Sequence, residues 1–225
     1  MKHHALRTTL AVAIAVSAQP LGAQTLVNFD LFTAVSLFPG TSVTAASQLG
    51  SQLLGLGVRF SSSSSYVAVV NLGAGHATSG ANGIGGTTAA GTVSYAEPIR
   101  ISFWDPANIT TRGITTFVRI RGDRIPVGGT ISMMLYDPLG MLLSTVTVPD
   151  AVGAMLTYTG VNVHSAELTS TNNQVAFDDL EFGPITAVAG IPGNPSVVPE
   201  PSAMALLCGG MLLLGAATRR RLLAR

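Results

Sequence analysis

This chain of 225 residues is poor in charge, with 10% of its side chains Asp, Glu, Lys or Arg. It has a single cysteine, Cys208, and no lysine after Lys2. Each scarcity excludes something. One cysteine cannot close a disulfide within the chain, so stability has to come from packing. Because Cys208 lies in an apolar run near the C-terminus, the body also lacks a thiolate nucleophile. Beyond the first few residues the histidines are His76 and His164, which are not spaced as a metal pair. There is no Gly-x-Ser-x-Gly elbow and no phosphate-cradling loop; Gly83-Ile84-Gly85-Gly86 reads as a flexible turn. Aromatics are few, 6% of residues. The rings able to stack on a sugar are Trp104, Tyr66, Tyr95, Tyr136 and Tyr158. Trp104, beside Asp105-Pro106, either caps the core or lines a groove. The pattern points to a body that is not an enzyme.

What is present is concentrated at the two ends. Lys2 and Arg7 precede an apolar run, Leu10–Val16, and small and polar residues follow as far as Leu21-Gly22-Ala23. That is the order of a secretory signal peptide, read by the translocon and by signal peptidase, with cleavage after Ala23 and Ala18 as the alternative. At the other end, Val198-Pro199-Glu200-Pro201 leads into Ala203–Thr218, sixteen positions without a charge. Pro199 and Pro201 lack amide hydrogens and keep the segment extended. As a single transmembrane helix the run would reach roughly 24 Å, a little short of the ~30 Å hydrocarbon core. Arg219, Arg220 and Arg221 then act as a basic stop to transfer. Without the signal peptide and the residues after Pro201, six arginines face eleven acidic residues, a balance of −5, or −4 without Glu200 of the Pro-Glu-Pro stretch. An acidic body argues against nucleic acid as a partner.

The Pro-Glu-Pro motif, the short apolar helix and the terminal arginines resemble the PEP-CTERM sorting signal of Gram-negative bacteria. The resemblance covers Val198 to Arg221, about a tenth of the chain. It implies export, an inner-membrane intermediate held by the C-terminal helix, processing by an exosortase, and release or attachment at the cell surface. It also implies a host that makes exopolysaccharide, a polymer the body would meet in the biofilm matrix. It supplies an address and leaves the activity of the body open. The chain then divides into a signal peptide at 1–23, a body at 24–185, a Pro/Gly linker at 186–197 and the sorting signal at 198–225.

The body alternates short β-like runs with Gly, Pro, Asn and Ser. Ile99-Arg100-Ile101-Ser102-Phe103-Trp104 has a period of two and ends at Asp105-Pro106, a turn signal. In Ile114–Arg121, Ile114, Thr116, Val118 and Ile120 form a β-branched face that should be buried. Ile131–Tyr136 and Met141–Val148 flank Asp137-Pro138-Leu139-Gly140 and read as a hairpin. The stretch Asn71–Ser94 carries seven glycines in twenty-four residues and reads as a long loop or weak edge strands. Many short strands in one domain predict an all-β fold, an antiparallel β-sandwich of jelly-roll type.

In Phe177-Asp178-Asp179-Leu180-Glu181-Phe182, alternation places Asp178 on the face of Leu180 and Phe182. A carboxylate there needs backbone donors, an arginine or a hard cation. Arg121-Gly122-Asp123 spells an adhesion tripeptide and is read as a strand-ending turn. The first strand with Asn28-Phe29-Asp30, the strand Gly57-Val58-Arg59-Phe60 and the Asp-Asp-Leu strand together resemble exported lectin-like and carbohydrate-binding-module-like sandwiches. That architecture implies neighbouring first and last strands, which makes Asp30, Asp178 and Asp179 candidate ligands of a calcium ion. The leading expectation is an exported surface or matrix protein whose body is structural or associates with glycans. The alternatives are a calcium-dependent carbohydrate-binding module and a polysaccharide hydrolase; no carboxylate pair at a recognisable spacing supports the latter.

Overall fold

The computed structural model describes residues 23–192. They form fourteen strands with no α-helix among them. In chain order these are β1 (Thr25–Val27), β2 (Val35–Ser36), β3 (Gln48–Leu49), β4 (Val58–Ser61) and β5 (Val67–Asn71). Next come β6 (Asn82–Gly85), β7 (Ile99–Asp105), β8 (Asn108–Gly122), β9 (Thr130–Tyr136) and β10 (Leu142–Pro149). The set closes with β11 (Met155–Val163), β12 (Ser165–Ser170), β13 (Phe177–Phe182) and β14 (Thr186–Pro192).

The strands fall into two blocks. One runs β10-β9-β12-β7-β4 and is antiparallel throughout. The other runs β11-β8-β13, then β1 and β6, then β5 with β2 and β3. A short β7–β8 pairing, Trp104 with Arg112 and Asp105 with Asn108, makes the hydrogen bonding continuous. The result is one large mixed sheet, mixed because β2 runs parallel to β5. The expected all-β fold is present; the wholly antiparallel pattern is not.

Both blocks send side chains into one core. Phe60, Ile101, Phe103, Met133 and Leu135 come from the first, and Val69, Ile84, Val118, Ile120 and Phe182 from the second. The rings of Phe103 and Phe182 meet across the core at 5.7 Å. Each such side chain contributes about 1.5–3 kcal/mol on burial. With no disulfide in the body, this core is the main source of stability. The hairpin β9–β10 forms where the sequence placed it. The Gly140 amide donates to the Asp137 carbonyl at 3.0 Å, and Asp137 Oδ1 accepts from the Leu139 and Met141 amides, each at 2.8 Å.

Three expectations are corrected. First, Asn71–Ser94 is not a loose loop: it holds β6, paired to β5 and β13, with Ile84 fully buried. Five of its seven glycines, Gly80, Gly83, Gly85, Gly86 and Gly91, stand where a Cβ would meet another atom within 3.0 Å. A Cβ on Gly86 would lie 2.3 Å from the Glu97 carbonyl oxygen and 2.6 Å from that of Ser94. The segment covers the outer side of β5, where Ala68 and Val70 pack with Leu72, Ala77, Val93 and Tyr95. Second, the buried face of Ile114–Arg121 is only half right. Val118 and Ile120 are buried, but Thr116 is exposed, and Thr115 and Phe117 are buried in its place. Strand β8 changes its inward face between Phe117 and Val118, beside the register shift of β11 between Thr159 and Val163. Third, the segment read as a linker from residue 186 begins as β14, paired to β8 at Thr186–Ile114 and Ala187–Gly113.

Replacing Gly86 by Ala should therefore lower stability by about 2 kcal/mol, the usual cost of overpacking. Gly55→Ala, where a Cβ meets nothing within 4 Å, is the control. Urea unfolding of both variants checks this, and equal midpoints would refute the packing account.

Candidate functional site

A cleft of about 540 Å³ opens on the outer face of the first block. Its floor follows from the period of two in β7. Ile99, Ile101 and Phe103 point inward, so Arg100, Ser102 and Trp104 point out. The register completes a row across three strands: Ser165 of β12 sits opposite Ser102 of β7 on one side and Tyr136 of β9 on the other. The walls are the β9–β10 turn, Asp137 to Gly140, and Arg112 of β8. Trp104 is thus a groove residue and does not cap the core.

His164, buried between β11 and β12, borders the cleft. Its Nδ1 lies 2.9 Å from the Gly113 carbonyl oxygen, an acceptor, so Nδ1 carries the proton and Nε2 is left as an acceptor. Burial, joined by the positive charge of Arg112, holds the His164 pKa below its ordinary value despite the bond to Gly113. The ring is neutral and stands edge-on to Trp104, centroids 6.0 Å apart. The cleft therefore offers two aromatic surfaces, two serine hydroxyls, an imidazole acceptor and guanidinium donors. Arg100 pairs with Glu167, and Arg112 donates to the Pro138 carbonyl. Period-two reading exposes Arg100, Ser102 and Trp104 in the sequence; Tyr136, Arg112 and His164 join them only through register and topology.

Asp30, Asp178 and Asp179 do converge, as the sequence suggested, but on a loop rather than on one another. β1 and β13 are antiparallel neighbours. Asp178 Oδ2 accepts the Thr78 and Ser79 amides, both at 2.8 Å, and Oδ1 accepts the Asp179 amide at 2.7 Å. Asp179 Oδ1 accepts from the Ser79 hydroxyl at 2.7 Å, and Asp30 Oδ1 accepts the Ala81 and Asn82 amides at 2.9 and 3.2 Å. Gly80, at φ +54°, passes over Asp30 so closely that a Cβ would overlap the carboxylate. The expected alternation fails at Asp179. Its φ is 50°, and β13 carries one residue more than β8 between Asp178 and Glu181. This bulge turns Asp178 away from Leu180 and Phe182 and toward the loop. Burial raises the Asp178 carboxyl above the usual range, Asp179 adds to the rise, and the Ser79, Asp179 and Thr78 amides oppose it. Backbone donors thus meet the need of the buried carboxylate. Among the described residues no group of three or more His, Cys, Asp or Glu side chains is arranged to hold a metal ion.

A second, more apolar cavity of about 520 Å³ is bordered by Leu37, Leu72, Tyr95, Ile125 and Val127, with Asp123 beside them. Asp123, only 2% exposed, accepts the Ile125 and Ala176 amides at 2.9 and 2.8 Å. Its carboxylate faces inward, so Arg121-Gly122-Asp123 does not display an adhesion tripeptide. Burial pushes its pKa up to about 6 against those two amides. The other histidine, His76, is exposed.

Residues 197–221 match the PEP-CTERM protein-sorting motif. Val198, Pro199, Glu200 and Pro201 and the arginines 219–221 all lie within it. The motif marks an exported protein processed at the membrane, with an exosortase as the processing partner. The motif, the apolar run 203–218 and residues 1–22 of the stretch expected to be a signal peptide lie outside the described residues. Among the described residues no helix is long and apolar enough to cross a membrane. No curated protein matches the chain. Solved structures similar to it include an arabinose-bound α-L-arabinofuranosidase, at 10% identity over 68% of this chain and 26% of the other, with a TM-score of 0.35. The enzymatically active domain of bacteriophage CBA120 tailspike protein 4 is 13% identical over 64% and 22%, with a TM-score of 0.33. A carbohydrate-binding module specific for non-crystalline cellulose is 12% identical over 69% and 95%, with a TM-score of 0.27. The chain spans about a quarter of the first two. Likenesses this faint carry no inference about a ligand.

Two outcomes follow from the buried acids. Asp178→Ala leaves three amides without their acceptor and should cost about 3 kcal/mol, read by urea unfolding; a loss under 1 kcal/mol would contradict the clamp. For Asp123, the folded chain keeps a proton between the ordinary value of 3.8 and about 6 that the unfolded chain has already lost. Its contribution to stability therefore falls as pH rises through that window. The Tm of the wild type should drop relative to Asp123→Asn between pH 4 and pH 6.5, and a constant difference would refute the assignment.

Proposed function

We propose that the body is a non-catalytic glycan-binding module of an exported cell-surface or matrix protein delivered through the exosortase route. In this reading the two facing blocks are a jelly-roll-like sandwich, and exopolysaccharide of the matrix is the partner. The observation that carries it is the cross-strand floor of the cleft. Trp104 and Tyr136 supply aromatic surface, while Ser102, Ser165 and His164 supply hydrogen-bonding groups between and beside them. Sugar rings present an apolar face and a rim of hydroxyls, and such a floor suits both.

The absence of catalysis rests on the acids. Glycoside hydrolysis uses two carboxylates flanking one bond. The cleft is bordered by one aspartate, Asp137, whose Oδ1 is committed to the amides of its own turn. Asp123 and Asp178 are committed to backbone amides elsewhere.

Calorimetric titration of the mature protein with polysaccharide fragments from its host's matrix tests the reading. Saturable binding is expected, with no release of reducing ends, and Trp104→Ala should weaken it about tenfold. Binding that survives chelator assigns recognition to the cleft alone. Binding lost in chelator and restored by calcium would favour the calcium-dependent alternative with Asp30, Asp178 and Asp179. An unchanged affinity in Trp104→Ala would refute the cleft.

A further inference from the structure

Resting on the glycan-binding reading, we infer that the cleft selects acidic saccharides, with Arg112 receiving a uronate carboxylate beside the Trp104 and Tyr136 rings. The ion pairs among the described residues are Arg100 with Glu167 and Arg119 with Glu181. Arg112 has neither partner. It is half-buried at the cleft wall, and its guanidinium donates to the Pro138 carbonyl oxygen, which is neutral and leaves the cationic charge uncompensated. Its Nε is buried without a hydrogen-bond partner.

Of the other charges around the cleft, none is ion-paired with Arg112. Arg100 and Glu167 neutralise each other on neighbouring strands. Asp137 also lines the cleft and keeps its negative charge, but its Oδ1 is engaged by the Leu139 and Met141 amides at 2.8 Å and it forms no ion pair with Arg112. Behind the larger effect of burial, Arg112 and Asp137 act on His164 with opposite signs, Arg112 lowering its pKa and Asp137 raising it, so both charges are felt in the cleft. His164 stays neutral and its Nε2 accepts, so it suits a sugar hydroxyl rather than a carboxylate. The donors able to meet an anion are therefore on the arginine side, and the acceptor for hydroxyls is on the histidine side. A guanidinium fork matches a carboxylate in two parallel bonds, which a neutral hydroxyl cannot reproduce. The body as a whole carries −4, so a polyanion is not drawn in by net charge, and any preference for one must come from this local site.

The test uses the mature protein with two probes, a linear polyuronate and the same polymer after reduction of its carboxylates to alcohols. The wild type should bind the polyuronate about tenfold to a hundredfold more tightly, as a charge-assisted bidentate contact implies. Arg112→Gln should remove that preference while keeping affinity for the reduced polymer, which also reports that the variant is folded. Arg112→Lys, which keeps the charge and loses the fork, should fall between. If the wild type binds both polymers equally, or Arg112→Gln keeps the preference, the inference is overturned while the glycan-binding reading stands. If neither polymer binds, both fall.

Discussion

A strand that serves two layers has to change the face it buries, and β8 does so between Phe117 and Val118. Every large feature of the body depends on that change. The second half of β8 lies between β11 and β13 and gives Val118 and Ile120 to the core. The first half reaches into the other block, pairing with β7 at Trp104–Arg112 and carrying β14 along Ile114 and Gly113. Thr115 and Phe117 lie on the face opposite Val118 and Ile120, where the Arg119 guanidinium stands over the Phe117 ring at 5.7 Å. The irregular stretch of β11 opposite, where register shifts between Thr159 and Val163, accompanies the change of face. Because the crossing places Arg112 beside β7, the cleft exists only where the two blocks join.

The second constraint is the cost of a buried charge. Asp178 is wholly buried, and a bare carboxylate there would be severely destabilising. The bulge at Asp179 turns it away from the core, and the loop Thr78–Asn82 closes over it with amides. The same loop receives Asp30 from behind β1, so both ends of the body are tied to one short segment. Its one glycine, Gly80, sits where a Cβ would overlap the Asp30 carboxylate. Composition alone suggests flexibility here, yet the glycine marks dense packing.

Local chemistry was legible in the sequence. The β9–β10 turn, the alternation of Ile99–Trp104 and the turn at Asp105-Pro106 follow from residues within a few positions of one another. What was not legible depends on partners far along the chain. The inward face of Thr115 is decided by β11, the order of Asn71–Ser94 by β5 and β13, and the strand at Thr186–Pro192 by β8. The adjacency of the segments that carry Asp30 and Asp178-Asp179 was legible, since β1 pairs with β13, but their donors were not, because backbone amides leave no mark in a sequence. The cleft was half legible: alternation exposes Trp104 and Arg100, but nothing local brings Tyr136, 32 positions on, or His164, 60 positions on, beside them.

The strand that precedes the sorting motif in the chain supports the cleft. Ile185, just ahead of β14, packs against the backbone of Trp104 at Gly57 and Gly113, where an added Cβ would meet both within 3.0 Å. β14 then holds Ile185 in place by pairing with Gly113 and Ile114, and Gly113 also supplies the carbonyl that fixes the His164 tautomer. These contacts all precede residue 193, whereas the sorting motif begins at 197. Cleavage within the motif removes none of them. Loss of the tail within the motif would leave the strand that buttresses the cleft, so the sorting motif and the cleft are separable in one short stretch of sequence.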